Sequence, residues 1–155
     1  SKTVAGIVYE VGHDELFYAF EGENAMLNGL EIHTSAHAKL PDSLYATGFP
    51  YYDYKRMPGY MKVLEYFMQH TRGIRRHGSA ATDLVYVACG RFDAFFEYSL
   101  SPWDVAAGAF IVQKAGGTIM DFKGGDNYLF GQEIIATNSH LSKETQTIIA
   151  QKMDY

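Results

Sequence analysis

The amino-terminal part of the chain has two apolar runs separated by a turn-forming segment. Residues 4–11 and 16–20 are rich in aliphatic and aromatic side chains, and Gly12-His13-Asp14 lies between them. This pattern predicts a β-hairpin. Both faces of the predicted strands are apolar, whereas an antiparallel sheet commonly exposes one polar face to water. We therefore expect the hairpin to belong to a larger sheet that is covered on both sides.

The rest of the chain alternates between predicted strands and predicted helices. Residues 21–29 indicate a loop with a turn at Asn28-Gly29, and a second region begins at Pro41. Strands are predicted at residues 44–47, 73–76, 92–98, 118–120 and 134–136, and helices at residues 58–70, 103–115, 143–152 and from the segment 78–81 to residue 89. In the first helix, Met61, Leu64, Phe67 and Met68 are the apolar positions at helical spacing. This alternation is typical of an α/β layer.

Composition and charge exclude several classes of protein. The 155 residues are 47% hydrophobic and 20% charged, which excludes a wholly disordered chain, and no apolar run is long enough to cross a membrane. The net charge of −5 argues against a nucleic-acid partner, because a duplex binder presents a basic face. The single cysteine, Cys89, forms neither an internal disulfide nor a zinc site by itself. We expect a cytoplasmic protein with no membrane partner.

Two acids flank the most informative segment of the sequence. Glu97 lies near the carboxyl end of a predicted strand, and Asp104 lies in the first turn of the next helix. In open α/β sheets this crevice is where ligands bind, and two carboxylates there suit a hard cation such as Mg²⁺ or the hydroxyls of a sugar. From spacing alone a structural role is favoured, because Ser101, Pro102 and Asp104 have the positions of a helix cap.

The segment Gly78-Ser79-Ala80-Ala81 is the second candidate. Small residues at a helix start let a ligand approach the backbone, whose free N–H groups favour anions. The alternative is a capped helix whose alanines pack closely against the sheet. Arg75 and Arg76 then carry surface or interface charges.

Several segments together resemble the carboxyl-terminal half of an inositol monophosphatase. The resemblance rests on the runs 103–108 (Trp-Asp-Val-Ala-Ala-Gly) and 115–117 (Ala-Gly-Gly), on 78–88 with 90–93, and on 5–9, 22–25 and 28–29. It implies the carboxyl-terminal half of the layered α/β/α/β/α sugar phosphatase fold, preceded by a hairpin that belongs to the sheet of an amino-terminal domain. Residues 1–40 are then the last strands and loop of an α+β domain, and residues 41–155 form an α/β domain.

The resemblance also implies a function and a set of site residues. Such enzymes are Mg²⁺-dependent phosphomonoesterases that hydrolyse an inositol monophosphate or a similar sugar phosphate, and they are usually homodimers. Asp104 matches the late metal-binding aspartate, Glu97 matches the glutamate that holds substrate hydroxyls, and Gly78, Ser79 and Ala80 match the loop that contacts the substrate ring. Two alternatives remain open: a binding or dimerisation module without catalysis, and a related phosphatase for fructose bisphosphate or a nucleotide 3′-phosphate.

The chain departs from the family pattern in one respect. The family's Asp-x-x-Asp-Gly-Thr segment, which supplies further metal ligands and a water-activating threonine, does not occur in these residues. We therefore expect no complete set of catalytic residues here. The chain is interpreted as the carboxyl-terminal fragment of a phosphatase, inactive alone, whose apolar hairpin at residues 4–20 makes it self-associate or aggregate.

Overall fold

The computed structural model describes residues 2–154, and its first sheet contains the hairpin. Four antiparallel strands follow one another in the order β1-β2-β3-β4: β1 (Ala5–Glu10), β2 (Glu15–Phe20), β3 (Met26–Leu27) and β4 (Leu30–Glu31). The register of β1 and β2 pairs Ala5 with Phe20 and Glu10 with Glu15. The predicted hairpin is therefore confirmed.

The segment predicted as a loop is partly extended. β3 and β4 lie within or next to residues 21–29, and they are joined by the turn at Asn28-Gly29, in which both residues have a positive φ (48° and 83°). The Asn28 side chain ties this turn to the hairpin. Its Oδ1 accepts a hydrogen bond from the N–H of Leu16 at 2.8 Å, and its Nδ2 donates to the carbonyl of Asp14 at 3.1 Å.

A mixed second sheet contains the remaining strands. It has the order β6-β5-β7-β9-β8, with β5 (Leu44–Thr47), β6 (Gly73–Arg75), β7 (Ala94–Tyr98), β8 (Thr118–Met120) and β9 (Glu133–Thr137). β5 is parallel to β6 and β7, whereas β9 is antiparallel to β7 and β8. The helices are α1 (Met57–His70), α2 (Ala80–Ala88), α3 (Pro102–Lys114) and α4 (Ser142–Lys152). The α/β class is thus confirmed, and none of the helices in residues 2–154 is long and apolar enough to span a membrane.

The elements form four layers around two hydrophobic cores. One core joins the first sheet, through Phe17 and Ala19, to α2 and α3 and to Phe95 on one face of β7. The second core lies on the opposite face, where Phe96 packs against α1 and α4. The order is therefore first sheet, α2 with α3, second sheet, and α1 with α4. The division into domains at residues 1–40 and 41–155 stays a prediction.

Only one face of the hairpin is covered. Phe17 and Ala19 are buried against α2 and α3, but Ile7, Tyr9 and Val11 on the other face are more than half exposed. Within residues 2–154, the expected cover is therefore present on one side of this sheet. A two-stranded apolar surface with water on it is prone to pair with another chain.

This exposed face predicts self-association of the chain. We expect oligomers in size-exclusion chromatography with light-scattering detection, and we expect Ile7→Lys to shift the chain towards the monomer, because a charge on this face resists burial. The exposed Met68→Lys on α1 is the control, since it adds the same charge to a different surface. A monodisperse wild-type monomer would contradict the prediction.

The buried face of α1 differs from the predicted one. Met61 and Met68 are more than half exposed, whereas Tyr60, Val63, Leu64 and Phe67 are buried. The two methionines follow the buried residues Tyr60 and Phe67 by one position each, or about 100° around the helix, so not all apolar positions at helical spacing face the core. Met61 and Met68 are seven residues apart and therefore share a face, but it is the face that water covers.

The close approach of α2 and α3 depends on a glycine. A Cβ atom at Gly108 would lie 2.6 Å from the Cβ of Leu84, which has no freedom to move away. We expect Gly108→Ala to lower the free energy of unfolding by about 1–3 kcal/mol, as overpacking does in other cores, despite alanine's higher helix propensity. Urea unfolding measures this change, with Gln113→Ala on the exposed side of α3 as the control. Equal stability of the two variants would show that the helices separate without strain.

Candidate functional site

A cleft of about 440 Å³ lies where the carboxyl ends of β5 and β7 meet the first turns of α2 and α3. Ligands of open α/β sheets bind at this position, because the strand ends and the helix N-termini leave polar backbone groups there. All five residues singled out from the sequence line this one cleft: Gly78, Ser79, Ala80, Glu97 and Asp104. The structure therefore brings the candidates together, although they come from three different segments.

Glu97 is almost completely buried in the cleft wall. It is the fourth residue of β7 and only 7% exposed, and its carboxyl group packs directly over the Cα of Gly48 at the end of β5. The pKa of Glu97 is raised from 4.5 to about 8, mainly by burial. The acids Asp83 and Asp104 also raise this pKa, whereas Arg76 lowers it. A neutral carboxyl group both donates and accepts hydrogen bonds, which suits a hydroxyl-bearing ligand.

The contact between Gly48 and Glu97 can be tested by a single methyl group. A Cβ atom at Gly48 would overlap the Glu97 carboxyl group, so Gly48→Ala must displace that side chain. In an active protein that contains this chain, we expect KM to rise by about tenfold, because a misplaced hydrogen-bonding group loses roughly 1.4 kcal/mol of binding. Steady-state kinetics measure this change. Gln113→Ala on the exposed side of α3 is the control, and an unchanged KM for Gly48→Ala would contradict the placement of Glu97.

Asp104 has the capping role that the sequence left open. It is the third residue of α3, and its Oδ2 accepts a hydrogen bond from the N–H of Ser101 at 2.8 Å, with Pro102 in the first turn. This contact engages one carboxylate oxygen. Asp104 also lines the cleft, so capping and the binding of a cation are compatible.

The residues present fit a magnesium site only in part. A hard cation takes several oxygen ligands, and Asp104 supplies one. Among the described residues 2–154, the only group of three acids or histidines close enough to share an ion is Glu10, His13 and Glu15, at the turn of the hairpin. That group is already engaged: Arg91 donates to both carboxylate oxygens of Glu15 at 2.5 and 2.6 Å, and Glu10 accepts from the backbone N–H of His13.

The segment Gly78-Ser79-Ala80 forms the opposite wall of the cleft. Ser79 is the N-cap of α2, and its hydroxyl oxygen accepts from the N–H of Thr82 at 3.4 Å. Gly78 has a φ of +93°, which residues with a side chain rarely adopt. The structure therefore confirms that this segment caps α2, which was the alternative interpretation. The small residues of the segment also line the cleft.

A charged residue of the cleft and a buried acid of α2 were not identified as candidates from the sequence. Arg76 also lines the cleft, where its Nη2 donates to the hydroxyl of Tyr51 at 2.6 Å and its guanidinium lies 5.5 Å from the centre of the Phe49 ring. Asp83, in the first half of α2, is fully buried. An acid directly before the apolar run 84–88, inside the same helix, was the signal that could have indicated it.

Comparison with known proteins identifies the family. The sequence profile of the inositol monophosphatase family matches residues 1–154. This chain belongs to the inositol monophosphatase family. The putative Nus factor SuhB of Neisseria meningitidis serogroup B is 42% identical over 144 residues, which are 93% of this chain and 55% of that protein. The Nus factor SuhB of Escherichia coli is 41% identical over 142 residues, or 92% of this chain and 53% of that protein.

Solved structures of the family have the same fold. The extragenic suppressor protein SuhB of Bartonella henselae superimposes with a TM-score of 0.91 at 40% identity, covering 96% of this chain and 57% of that chain. The inositol monophosphatase of Anabaena gives a TM-score of 0.89 at 35% identity, with coverage of 96% and 59%. The inositol monophosphatase fold is therefore shown. The chain spans about half the length of the curated relatives it matches.

Proposed function

We propose that this chain supplies the substrate-binding half of a Mg²⁺-dependent phosphomonoesterase that hydrolyses an inositol monophosphate or a similar sugar phosphate. The observation that carries this proposal is the single cleft in which Asp104, Glu97 and the Gly78–Ala80 segment meet. Membership of the inositol monophosphatase family supports the phosphatase chemistry. The buried Glu97 supports a polyol at its position, because a carboxyl group hydrogen-bonds to hydroxyls.

Each residue of the cleft has a proposed role in binding. Asp104 is a ligand of Mg²⁺, Glu97 binds ring hydroxyls, and Gly78, Ser79 and Ala80 contact the sugar ring where no large side chain intervenes. When bound, Mg²⁺ polarises the phosphate and lowers the pKa of a coordinated water. Asp104 stays oriented because the Ser101 N–H holds one of its oxygens.

The proposed site is a half-site. One aspartate cannot hold a catalytic cation by itself, and residues 2–154 place no third acid or histidine within reach of a shared ion in this cleft. We therefore propose that the 155-residue chain alone is inactive and that the remaining ligands come from a segment such as the family's Asp-x-x-Asp-Gly-Thr motif, which does not occur in these residues.

A hybrid protein tests this function. The segment of the Neisseria meningitidis relative that precedes its match to this chain is fused to residues 1–155. Phosphate release from inositol 1-phosphate is then measured with and without Mg²⁺. We expect activity in the hybrid with Mg²⁺ and none in the chain alone. Activity of the chain alone would mean that the catalytic ligands have been misplaced.

Two controls make the result specific. A hybrid that carries Glu97→Gln keeps the side-chain volume and is expected to retain Mg²⁺ dependence with a raised KM. Parallel assays with fructose 1,6-bisphosphate and a nucleotide 3′-phosphate test the alternative substrates, against which Glu97 argues. An inactive but folded hybrid on all three substrates would contradict phosphatase function for this half.

A second candidate function is binding without catalysis. Its support is the name of the curated relatives, which are Nus factors, together with exposed aromatic side chains at the mouth of the cleft, among them Tyr52 and Trp103. Isothermal titration of the chain with inositol 1-phosphate and Mg²⁺ separates the two candidates, because heat is expected only if the half-site has affinity. A homodimer, a cytoplasmic location and the lack of a nucleic-acid partner all stay predictions.

A further inference from the structure

A serine in the wall of the cleft has a backbone conformation that is unfavourable for it. Ser99 directly follows β7 and lines the cleft, and its φ is +69°. In this left-handed region the Cβ atom approaches a backbone carbonyl oxygen, so glycine, asparagine and aspartate are the residues most often found there. Such conformations persist only where the surrounding structure imposes them, and they concentrate at functional sites.

The path of the chain imposes this conformation. Tyr98 is the last residue of β7 and pairs with Glu133, and Ser101 is already the N-cap of α3. The chain therefore leaves the sheet within two residues, and the N–H of Leu100 donates to the carbonyl of Gln132 at 3.3 Å. Glycine would adopt the same conformation without a steric penalty. The path of the chain thus explains the positive φ, but it does not explain why this position carries a side chain.

Two other residues with a side chain and a positive φ are explained by their own contacts. Asn28 accepts a hydrogen bond from the N–H of Leu16 at 2.8 Å, and Asp14 accepts one from the hydroxyl of Tyr9 at 2.5 Å. The Ser99 hydroxyl has no hydrogen-bond partner among residues 2–154, although the residue is partly buried. Its donor and its acceptor lone pairs are therefore free for a group that is bound in the cleft.

The position of Ser99 in the chain connects it to the two acids of the cleft. Glu97 precedes it by two residues and Asp104 follows it by five, and all three residues line the cleft. They belong to one continuous wall, which runs from the end of β7 to the first turn of α3. A hydroxyl on this wall can therefore contact a substrate that Glu97 and Asp104 hold.

We propose that Ser99 is a specificity-determining residue, whose hydroxyl forms a hydrogen bond with one substituent of the substrate ring that Glu97 does not reach. This inference rests on the proposed function and deepens it, because Glu97 alone would accept any substrate with a hydroxyl at its own position. A second hydrogen-bonding residue selects for a further free hydroxyl at a defined ring position. The substrate class that fits is the phosphate ester of a cyclic polyol that is unsubstituted at both positions.

The first test combines protein variants with substrate analogues in the active hybrid protein. Steady-state kinetics compare inositol 1-phosphate with its monodeoxy analogues in the wild type, in Ser99→Ala and in Glu97→Gln. We expect Ser99→Ala to raise KM for inositol 1-phosphate about three- to tenfold with little change in kcat, because one hydrogen bond to the bound substrate is lost. One deoxy analogue is expected to show the same rise in the wild type and no further rise in Ser99→Ala, because both changes remove the same hydrogen bond. Glu97→Gln is expected to retain the discrimination against this analogue.

Gln132 provides the matched control for this test. It also has a positive φ, of 62°, but it is exposed and does not line the cleft. Gln132→Ala is therefore expected to leave KM for every analogue unchanged.

The outcomes of the kinetic test distinguish the inference from the function on which it rests. An active hybrid in which Ser99→Ala leaves KM unchanged, or raises it equally for every analogue, would overturn the inference alone. A hybrid that releases no phosphate from any of these substrates would refute the proposed function, and the role of Ser99 in that reaction with it.

The stability of the 155-residue chain separates substrate binding from a structural role of Ser99. Because the hydroxyl has no partner within residues 2–154, we expect Ser99→Ala to unfold at the same urea concentration as the wild type. Ser99→Gly relieves the steric conflict at this φ, so it is expected to unfold at a higher urea concentration than Ser99→Ala. In the hybrid it is nevertheless expected to raise KM as much as Ser99→Ala does. A lower urea midpoint for Ser99→Ala than for the wild type would show that the hydroxyl supports the fold and would overturn the proposal.

Discussion

In the hybrid protein, replacing Asp104 by asparagine is expected to lower phosphatase activity strongly while leaving the fold intact. Asparagine keeps an oxygen that can accept from the Ser101 N–H, so the cap of α3 is retained. It lacks the negative charge through which a carboxylate binds Mg²⁺ more strongly than a neutral amide oxygen does. Loss of a residue that only supports a metal ligand typically lowers metal affinity or activity by about 10–100-fold. We therefore expect loss of the ligand itself to lower kcat/KM by at least about 100-fold.

The alanine variant separates the two roles of this side chain. Asp104→Ala removes the cap as well as the charge, so it should be as inactive as Asp104→Asn but less stable by about 0.5–2 kcal/mol. Phosphate release in the hybrid protein and urea unfolding of the same samples measure the two effects. Asp126→Asn, which removes an exposed charge elsewhere, is the control. Substantial activity in Asp104→Asn would mean that this residue is only a helix cap.

Truncation of Phe96 is expected to have the largest effect on stability. Phe96 is 0% exposed in the middle of β7, and its ring centre lies 5.4 Å from that of Phe67 and 5.9 Å from that of Tyr60. Phe96→Ala leaves a cavity between the second sheet and α1, which cannot close without moving the strand that carries Glu97. We expect a loss of about 3–5 kcal/mol in the free energy of unfolding.

Urea unfolding of the chain measures this loss, and an exposed phenylalanine provides the matched control. Phe130 is 72% exposed, so the same change there removes few contacts and is expected to cost less than about 0.5 kcal/mol. If Phe96→Ala unfolds the chain completely, Phe96→Leu gives a smaller, measurable decrease. Equal midpoints for Phe96→Ala and Phe130→Ala would show that the core can repack around the missing ring.

Most elements of the fold could be predicted because their signals are local. The hairpin, the helix after Pro58 and the strand that ends near Glu97 all appear where the sequence indicates them. The start of α3 could be predicted from the segment 101–104, because a helix cap is a contact between neighbours in the chain. The exposure of Met61 and Met68 could not be predicted in this way, because the hydrophobicity of a helix does not by itself say which of its sides packs against the sheet.

The candidate site could be predicted only in part. Glu97, Asp104 and the segment that starts at Gly78 were indicated by the ends of elements and by the resemblance to the family, and the structure places them in one cleft. Arg76 and Asp83 were not indicated by the sequence, because the contacts of Arg76 and the burial of Asp83 depend on residues far away in the chain. Arg76 meets Tyr51 across 25 positions of sequence, and an acid inside a helix is ordinarily exposed.

The sequence by itself therefore determined most of the elements, the α/β class and the acids at the strand and helix ends, all of which follow from periodicity, caps and turns within a few residues. It did not indicate the short strands β3 and β4. Only the tertiary structure decided that β9 pairs between β7 and β8, that one face of the hairpin is covered, and that Glu97 packs over Gly48. These are contacts between residues far apart in the chain. They depend on how the layers pack, which no local pattern specifies.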